Sequence, residues 1–295
     1  MSHIGGRQPQ AYAYGLAAVL LWSTVASAFE LSLRVLSPTQ LLLGASLFST
    51  LALLLVLLVQ RKLHLLRATT RRQWLRSALA GGMSPFLYYS MLFEAYARLP
   101  GQEAQPLNYT WSIALALLSI PLLKQRIRPA GFLALGISLL GVSVIATRGQ
   151  VLALRPTDAL GVGLALGSSV VWALYWILNL RDGRDGVVKL FLGFLWGFGF
   201  TAGFAAWRGV PVPPWGAGWS GAAYVGCFEM GFTFVLWLTA LRLSATTARV
   251  ANLIFLAPFL SLLLLHFVVG EELFPSSVVG LALIVAGIAL QRRCG

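Results

Sequence analysis

The chain has 295 residues, of which 58% are hydrophobic and only 11% are charged, whereas an ordinary soluble domain carries about 25% charged residues. Its 22 Lys and Arg residues outweigh 9 Asp and Glu residues and give a net charge of +13. This composition argues against a soluble enzyme and predicts an all-α integral membrane protein.

Apolar segments recur along the whole chain, each near the length of about twenty residues that a helix needs to cross a bilayer. In chain order the predicted spans are 11–31, 38–59, 74–97, 103–122, 129–147, 158–179, 187–206, 217–240, 247–268 and 275–291. The connections are short and carry Pro, Gly and charged residues. The sequence therefore predicts ten transmembrane helices.

The distribution of basic residues predicts the orientation. With a cytoplasmic N-terminus, 17 of the 22 basic residues fall on the inner side and 5 on the outer side, and the largest inner group lies between Arg61 and Arg76. Basic residues concentrate in cytoplasmic loops. We therefore predict a multi-pass protein of the inner (plasma) membrane with both termini in the cytoplasm. The same bias explains the charge of +13 without nucleic acid as a partner.

Several kinds of active site are excluded. No stretch between the predicted spans is long enough for a folded catalytic or nucleotide-binding domain. None of Lys62, Lys124 and Lys189 follows a glycine, so the chain lacks a phosphate-binding P-loop. The three histidines are too scattered for a zinc site. We expect neither enzyme activity nor a cofactor nor a metal.

The chain shows weak internal repetition. A shift of 146 residues places Pro129 on Pro275, Gly141 on Gly287 and Tyr109 on Phe255. A unit of five helices crosses the membrane an odd number of times, so its copy must have inverted topology. Inverted repeats enclose a substrate site near the bilayer midplane and open alternately to either side.

The predicted organisation follows from this repeat. A cytoplasmic tail (1–10) precedes the first five-helix repeat (11–147), and a linker (148–156) joins it to the second repeat (157–291) and a C-terminal tail (292–295). The fold class is therefore predicted as two inverted five-helix repeats around a central cavity.

Short motifs along nearly the whole chain resemble those of one transporter family. They are Leu21-Trp22-Ser23-Thr24, Gly101-Gln102-Glu103-Ala104, Leu107-Asn108-Tyr109-Thr110-Trp111, Ala146-Thr147-Arg148-Gly149, Trp172-Ala173-Leu174-Tyr175-Trp176, Asn252 with Leu256-Ala257-Pro258-Phe259, and Gly270-Glu271-Glu272 before Gly280 through Gly287. Together they resemble the ten-helix EamA-type branch of the drug/metabolite transporter superfamily. The resemblance implies a secondary exporter of amino acids, metabolites or drugs.

The chain departs from that family's pattern at two places. Members commonly have proline after the Asn-Tyr-x-Trp run, where this chain has Ser112, and Gly-Glu after the fourth helix, where it has Lys124-Gln125. Ser112 keeps the backbone N–H that a proline would remove. We therefore expect the first repeat to be stiffer than the second is at Pro258, which we predict as a gating residue.

Charged residues inside the spans are candidates for coupling and gating, because charge in hydrocarbon is costly. Glu229 lies near the middle of the eighth span and is predicted to be a proton-coupling site or the partner of a substrate ammonium group. A protonated carboxyl that serves packing alone is an equal alternative. Glu103 and Arg249 match under the 146-residue shift and are predicted gate residues at opposite mouths, with simple interfacial anchoring as the alternative.

Other carboxylates have local explanations. Glu94 precedes Arg98 by four residues, which predicts an ion pair on one helical face. Glu271 and Glu272 are expected to be solvated loop charges, and the resemblance gives them a helix-starting role.

Aromatic and amide side chains inside the spans are predicted to line a substrate cavity. Trp172 and Trp176 share one face of the sixth helix, and Asn252 and Phe255 share one face of the ninth. For any single residue, helix packing is the alternative. The complete predicted binding set is Trp22, Tyr88, Tyr89, Asn108, Tyr109, Trp111, Trp172, Trp176, Glu229, Asn252 and Phe255.

We predict an alternating-access exporter of amino acids, aromatic or hydrophobic ones included, or of related small metabolites. A multidrug or cationic-amine exporter is the alternative within transport. A lipid-carrier flippase, which could use the basic loop from Arg61 to Arg76, or a non-transporting scaffold is the alternative of another class. The expected partners are a small-molecule substrate and membrane lipid, with proton coupling and the choice between monomer and homodimer left open.

Overall fold

The computed structural model describes residues 8–123, 129–151, 158–180, 182–213, 216–244 and 252–294. Within these ranges every regular element is a helix, as the composition predicts. Contacts divide the chain into two compact units, each of which takes segments from both predicted repeats. Unit 1 comprises residues 1–86 and 183–264, and unit 2 comprises residues 87–182 and 265–295.

The helices follow the predicted spans closely. In chain order they are α1 (Gln8–Ser23), α2 (Val25–Leu33), α3 (Pro38–Val59), α4 (His64–Arg67), α5 (Arg71–Gly81), α6 (Tyr88–Tyr96), α7 (Gly101–Tyr109), α8 (Trp111–Leu123), α9 (Pro129–Ala146), α10 (Ala159–Leu180), α11 (Gly186–Trp207), α12 (Ala217–Tyr224), α13 (Thr233–Leu243), α14 (Leu256–Leu264) and α15 (Pro275–Cys294). Irregular helical turns connect several of them, at Gly82–Leu87, Val225–Phe232, Asn252–Phe255 and Leu265–Val269.

Five described helical stretches are long and apolar enough to cross a bilayer: Gln8–Leu33, Pro38–Val59, Ala159–Asn179, Gly186–Trp207 and Gly218–Leu241. Shorter apolar helices cover Gly136–Ala146, Leu256–Val269 and Pro275–Leu290. Large apolar side chains remain exposed on them, and Trp207 reaches 78% exposure. Apolar surface of this kind is suited to lipid. The helical membrane class is thus supported, and the count of ten crossings stays a prediction.

Several predicted spans are interrupted. The first breaks at Thr24 and the fourth at Thr110. The third breaks at Ser84, whose backbone is extended (φ −145°, ψ 124°) because the residue before a proline disfavours the helical region. The break at Thr110 lies two residues before Ser112, so the retained N–H of Ser112 does not keep the fourth span continuous.

Two helices end in an arginine with positive φ, where glycine is usual. The φ angle is 54° at Arg61, after α3, and 50° at Arg148, after α9. The N–H of Gly149 donates to the carbonyl oxygen of Val144 at 2.8 Å, which closes the end of α9. A left-handed conformation costs a residue with a Cβ roughly 1 kcal/mol. The side chain of Arg148 forms an ion pair that glycine could not form.

Unit 1 contains close backbone contacts between helices. A Cβ on Gly81 of α5 would lie 2.2 Å from the carbonyl oxygen of Gly193 in α11. A Cβ on Gly226 would lie 2.4 Å from the carbonyl oxygen of Ala45 in α3. Only glycine fits at such separations, so these residues bring the helix axes close together.

Unit 2 has a similar contact between α9 and α15. A Cβ on Gly141 would lie 2.6 Å from the carbonyl oxygen of Gly280, and a Cβ on Gly280 would lie 2.7 Å from that of Gly141. Helix α10 packs against α6, α7 and α8 in the same unit. These contacts place the aromatic residues of α6 and α10 beside the polar residues of α7.

A charged cluster lies at the start of α11 in unit 1. The Asp185 carboxylate accepts hydrogen bonds from the N–H groups of Val187 at 2.9 Å and Val188 at 3.3 Å. Lys62 Nζ lies 2.8 Å from Asp185 Oδ2. Burial raises the pKa of this carboxyl, but the bonds from Lys62 and the two backbone N–H groups outweigh it, so the pKa of Asp185 lies below its ordinary 3.8.

Replacing Asp185 with alanine is expected to cost about 1–2 kcal/mol, because it removes a helix cap and a partly buried ion pair. Asp185→Asn keeps a capping side chain and should cost less. A lowered native pKa contributes stability above pH 3.8 that is lost as pH falls through the native value. The advantage of wild type over Asp185→Asn should therefore shrink below that pH. Melting temperatures in detergent at several pH values check this, and a pH-independent difference would contradict it.

Candidate substrate-binding site

Unit 2 brings four of the predicted aromatic residues together on α6 and α10. The Tyr88 ring stacks on Trp172, with ring centroids 4.6 Å apart and planes 24° from parallel. Tyr89 meets Tyr88 edge to face at 4.6 Å, and Trp176 meets Trp172 edge to face at 5.8 Å. These are the offset and perpendicular geometries that aromatic quadrupoles favour. We call Tyr88, Tyr89, Trp172, Tyr175 and Trp176 the aromatic cluster.

Tyr175 is a member of the cluster that the sequence analysis missed. It stacks on Trp172 with centroids 5.3 Å apart and planes 19° from parallel, and only 4% of its surface is exposed. Residues three and four apart lie on one helical face. Its spacing of three from Trp172 is the signal that could have identified it.

Asn108 of α7 joins this cluster through hydrogen bonds. The Tyr88 hydroxyl donates to Asn108 Oδ1 at 3.1 Å, and Asn108 Nδ2 donates to Ser168 Oγ at 2.9 Å. Asn108 is 8% exposed, so both ends of its amide are bonded in a nearly dry environment. The amide therefore orients the Tyr88 ring and also places polar atoms next to the aromatic cluster. Tyr109 and Trp111 are half-buried on either side of Thr110, next to Asn108 in sequence.

Two buried polar atoms beside the cluster have no hydrogen-bond partner among the described residues. One is the donor Trp176 Nε1, and the other is the acceptor Gln105 Oε1. Trp176 lies one turn after Trp172 on α10, and Gln105 lies one turn before Asn108 on α7. Buried polar groups are normally satisfied. These atoms are thus one donor and one acceptor without a protein partner among the described residues, and Gln105 was not predicted.

Unit 1 holds the predicted residues Trp22, Glu229 and Pro258. Trp22 meets Phe234 edge to face at 5.9 Å and lies 5.4 Å from Trp237. Pro258 is buried in α14. Next to Trp22 along α1, the Ser23 carbonyl accepts a bond of 2.6 Å from Ser261 Oγ. Trp22 therefore packs against the aromatic residues Phe234 and Trp237 of unit 1.

Glu229 lies in the irregular turn Val225–Phe232, where the helix is wider than an α-helix. Only 9% of its surface is exposed. The glycines at 226 and 231 both pack on α3, which fixes this turn against its neighbour. Wide helical turns of this kind occur often at functional sites. The Glu229 side chain is thus buried near the middle of the apolar stretch Gly218–Leu241.

A second polar network lies at the start of α7 in unit 2. Arg148 Nε lies 2.7 Å from Glu103 Oε1, and the Glu103 side chain is 1% exposed. The Arg148 guanidinium carbon lies 4.7 Å from the centre of the Phe274 ring. Glu103 is in the first turn of α7, where the helix dipole also favours a negative charge. Arg148 is therefore an ion-pair partner of this predicted gate residue.

Glu271 is not a purely solvated loop charge, which corrects our expectation. Its carboxylate accepts hydrogen bonds from the N–H groups of Gly101 at 3.0 Å and Gln102 at 3.3 Å, so it caps α7 from 170 residues away. Gln102 in turn bonds the carbonyl of Glu272 and the N–H of Phe274. The segment before α15 therefore holds the N-terminus of α7, whose other end carries Asn108.

The remaining predictions have different outcomes. The Glu94–Arg98 ion pair is confirmed, at 2.9 Å. Arg249 lies outside the described residues, and so do the side chains of Asn252 and Phe255. In the described part of the chain, no three His, Cys, Asp or Glu residues are grouped as metal ligands would be.

Comparisons with known proteins agree with these features. A family model described as the EamA-like transporter family matches residues 10–147 and again residues 159–292. An aromatic amino acid exporter, YddG of Ancylobacter novellus, is 28% identical over 217 residues, which are 71% of this chain and 72% of that protein. An uncharacterized transporter of Clostridium kluyveri is 25% identical over 223 residues, which are 71% of this chain and 69% of that transporter.

A solved crystal structure, described only as that of a protein, has a similar fold. It is 25% identical, its TM-score is 0.67, and the match covers 97% of this chain and 99% of the other. The similarity thus extends over nearly the whole chain.

Proposed function

Because the chain belongs to the EamA-like transporter family, we propose that it is an alternating-access exporter of aromatic amino acids or related small metabolites. The observation that carries the substrate class is the Tyr88–Trp172 stack beside the Asn108 amide. The similarity to an aromatic amino acid exporter supports the same class. The family and the related proteins are transporters rather than enzymes.

The aromatic cluster suits a planar side chain. Ring pairs in offset or edge-to-face contact contribute about 0.5–1.5 kcal/mol each beyond the burial of area. An amino acid also carries a carboxylate and an ammonium group, which require a donor and an acceptor. The unpartnered Trp176 N–H and Gln105 Oε1 supply one of each. We propose that these two atoms select the zwitterionic end of the substrate.

We propose that the two repeats have inverted topology, with boundaries near 11–147 and 157–291. Tyr88 and Phe234 are 146 residues apart, and each contacts a tryptophan of the first helix of a repeat, Trp172 and Trp22 respectively. A second pair of contacts supports this symmetry. The loop after α3 reaches the start of α11 through Lys62, while the loop after α11 bonds the start of α3 through Gln40.

Inverted repeats support alternating access, in which one side of a binding site opens while the other closes. We propose that the Glu103–Arg148 pair is a gate contact and that it breaks when α7 moves. Arg249 and Pro258 are proposed for the equivalent function in the second repeat. The positive-inside distribution supports a plasma membrane location with both termini cytoplasmic.

For Glu229 we propose proton coupling. A carboxylic acid buried within an apolar span must bind a proton or a cation when it changes environment. Its place in a wide helical turn supports a functional requirement rather than packing alone. If the substrate were an organic cation, the same carboxylate would serve as its charge partner, which is the alternative function.

The test is counterflow exchange in proteoliposomes, with labelled tryptophan, phenylalanine, leucine, aspartate and an organic cation at two pH values. We expect saturable exchange of the aromatic amino acids, dependent on pH in wild type and independent of pH in Glu229→Gln. Glu94→Gln, which alters an exposed ion pair, is the matched control and should keep the pH dependence.

Other outcomes discriminate between the alternatives. Exchange of the cation alone would support the multidrug function. Absence of exchange by folded protein would contradict both and favour a flippase or a scaffold. If exchange by Glu229→Gln still depended on pH, the coupling role would be refuted, whereas the substrate assignment would stand.

A further inference from the structure

The segment after α3 and the first half of α5 present an unpaired basic surface. Five arginines in this region of unit 1 are exposed, and none has a side-chain hydrogen bond or ion pair with another described residue: Arg61, Arg67, Arg71, Arg72 and Arg76. The remaining basic residue of the loop, Lys62, is bonded to Asp185. The five guanidinium groups therefore form a surface whose donors are not used by the described residues.

No acidic residue is available nearby in sequence to neutralise this surface. The chain has no Asp or Glu between Glu30 and Glu94. All nine acidic residues lie in the described part, and the printed ion pairs connect this region to Asp185, which contacts Lys62 rather than any of the five arginines. The surface is therefore suited to an anion from outside the chain.

Helix α5 has two distinct faces. Its inner face is fixed to α11, because Trp74 meets the Trp196 ring, Ser77 accepts a hydrogen bond from Arg184, and Gly81 lies against the backbone of Gly193. These three residues of α5 follow a spacing of three and four, as one helical stripe does.

The outer face of α5 combines charge and apolar surface in a defined order. Arg72, Leu75, Arg76 and Leu79 have the spacing of a second stripe. Leu75 is 63% exposed and Leu79 is 57% exposed. Because the helix rises about 1.5 Å per residue, Arg72 comes first, Leu75 and Arg76 follow together about one turn later, and Leu79 lies farthest along the helix, towards its apolar continuation.

We propose that this outer face binds an anionic phospholipid, with Arg72 and Arg76 on the headgroup phosphate and Leu75 and Leu79 on the acyl chains. Guanidinium groups bind phosphate oxygens by charge-assisted hydrogen bonds. The exposed leucines favour a lipid over a free phosphate, which would leave them in water. Arg61, Arg67 and Arg71 add positive potential around the site. This inference does not depend on the transported substrate.

The test measures lipid binding to the purified full-length protein by native mass spectrometry, with phosphatidylglycerol and phosphatidylcholine of identical acyl chains. Near an anionic surface each arginine contributes about fivefold in affinity. We therefore expect Arg72→Gln with Arg76→Gln to weaken phosphatidylglycerol binding by roughly twenty-fold or more. Phosphatidylcholine binding should change little.

Matched variants make the result specific. Arg67→Gln with Arg71→Gln removes the same charge from the same loop and should have a clearly smaller effect. Arg72→Lys with Arg76→Lys keeps the charge and should retain most binding, which also controls for folding. Leu75→Ser with Leu79→Ser should weaken both lipids.

Three results would overturn the proposal. One is equal affinity of wild type for the two lipids. Another is an equal loss in the two double glutamine variants, which would indicate general charge rather than a site. The third is glycerol phosphate competing as well as intact lipid, which would exclude the acyl contacts.

Discussion

Replacing Trp172 with alanine is expected to weaken binding of an aromatic amino acid by about tenfold to a hundredfold, as loss of a buried tryptophan contact commonly costs about 2 kcal/mol or more. Trp172 contacts Tyr88, Tyr175 and Trp176 and is 8% exposed. Its removal therefore opens the aromatic cluster at its centre. The affinity can be measured on the purified protein by isothermal titration calorimetry with an aromatic amino acid, or by counterflow exchange of labelled phenylalanine in proteoliposomes.

The control is Trp207→Ala, because Trp207 is 78% exposed at the end of α11 and has no place in the cluster. Its effect on affinity should stay below about twofold, within the scatter of a surface substitution. Trp172→Phe keeps a ring and should recover part of the loss. Equal affinities in Trp172→Ala and Trp207→Ala would contradict the proposed site.

Much of the aromatic cluster could be predicted from spacing alone. Trp172 and Trp176 are four residues apart in an apolar span, which places both on one helical face. Spacing within a helix does not indicate which other helix faces that stripe. The contact of α10 with α6 and α7 is a tertiary property, so the stack with Tyr88 and the bond to Asn108 emerge only in the structure.

Two features that the sequence analysis did not predict have a common cause. Glu271 caps α7 across 170 residues of sequence, and no local pattern encodes a cap supplied from such a distance. Gln105 is an isolated amide whose importance comes from lacking a partner, which requires the surrounding contacts to be known. Local periodicity predicts helices and their faces. Whether a polar side chain finds a hydrogen-bond partner depends on tertiary packing, which local periodicity does not encode.

The division into units follows the same principle. The predicted repeats are continuous in sequence, yet each compact unit combines segments from both. Helices α9 and α15, the last of each predicted repeat, pack together through Gly141 and Gly280. Small residues permit such contacts between distant segments, but a glycine in an apolar span does not reveal its partner.

Replacing Arg148 with alanine is expected to destabilise the protein by about 2–3 kcal/mol, because it removes the guanidinium that is paired with the buried Glu103 carboxylate. The double variant Glu103→Gln with Arg148→Ala should recover much of this loss, since a neutral amide does not require a counter-charge. Unfolding in detergent across the four members of this cycle measures the coupling.

A further substitution distinguishes the contribution of the Arg148 side chain from the cost of its backbone conformation. Arg148 has a φ of 50°, and glycine adopts this conformation without the cost of roughly 1 kcal/mol that a Cβ imposes. Arg148→Gly should therefore be more stable than Arg148→Ala by about that amount, while both lose the contact with Glu103. Because Glu103 and Asn108 are on the same short helix, both variants should also weaken substrate binding. If both kept wild-type affinity and stability, the Glu103–Arg148 pair would have no role in holding α7.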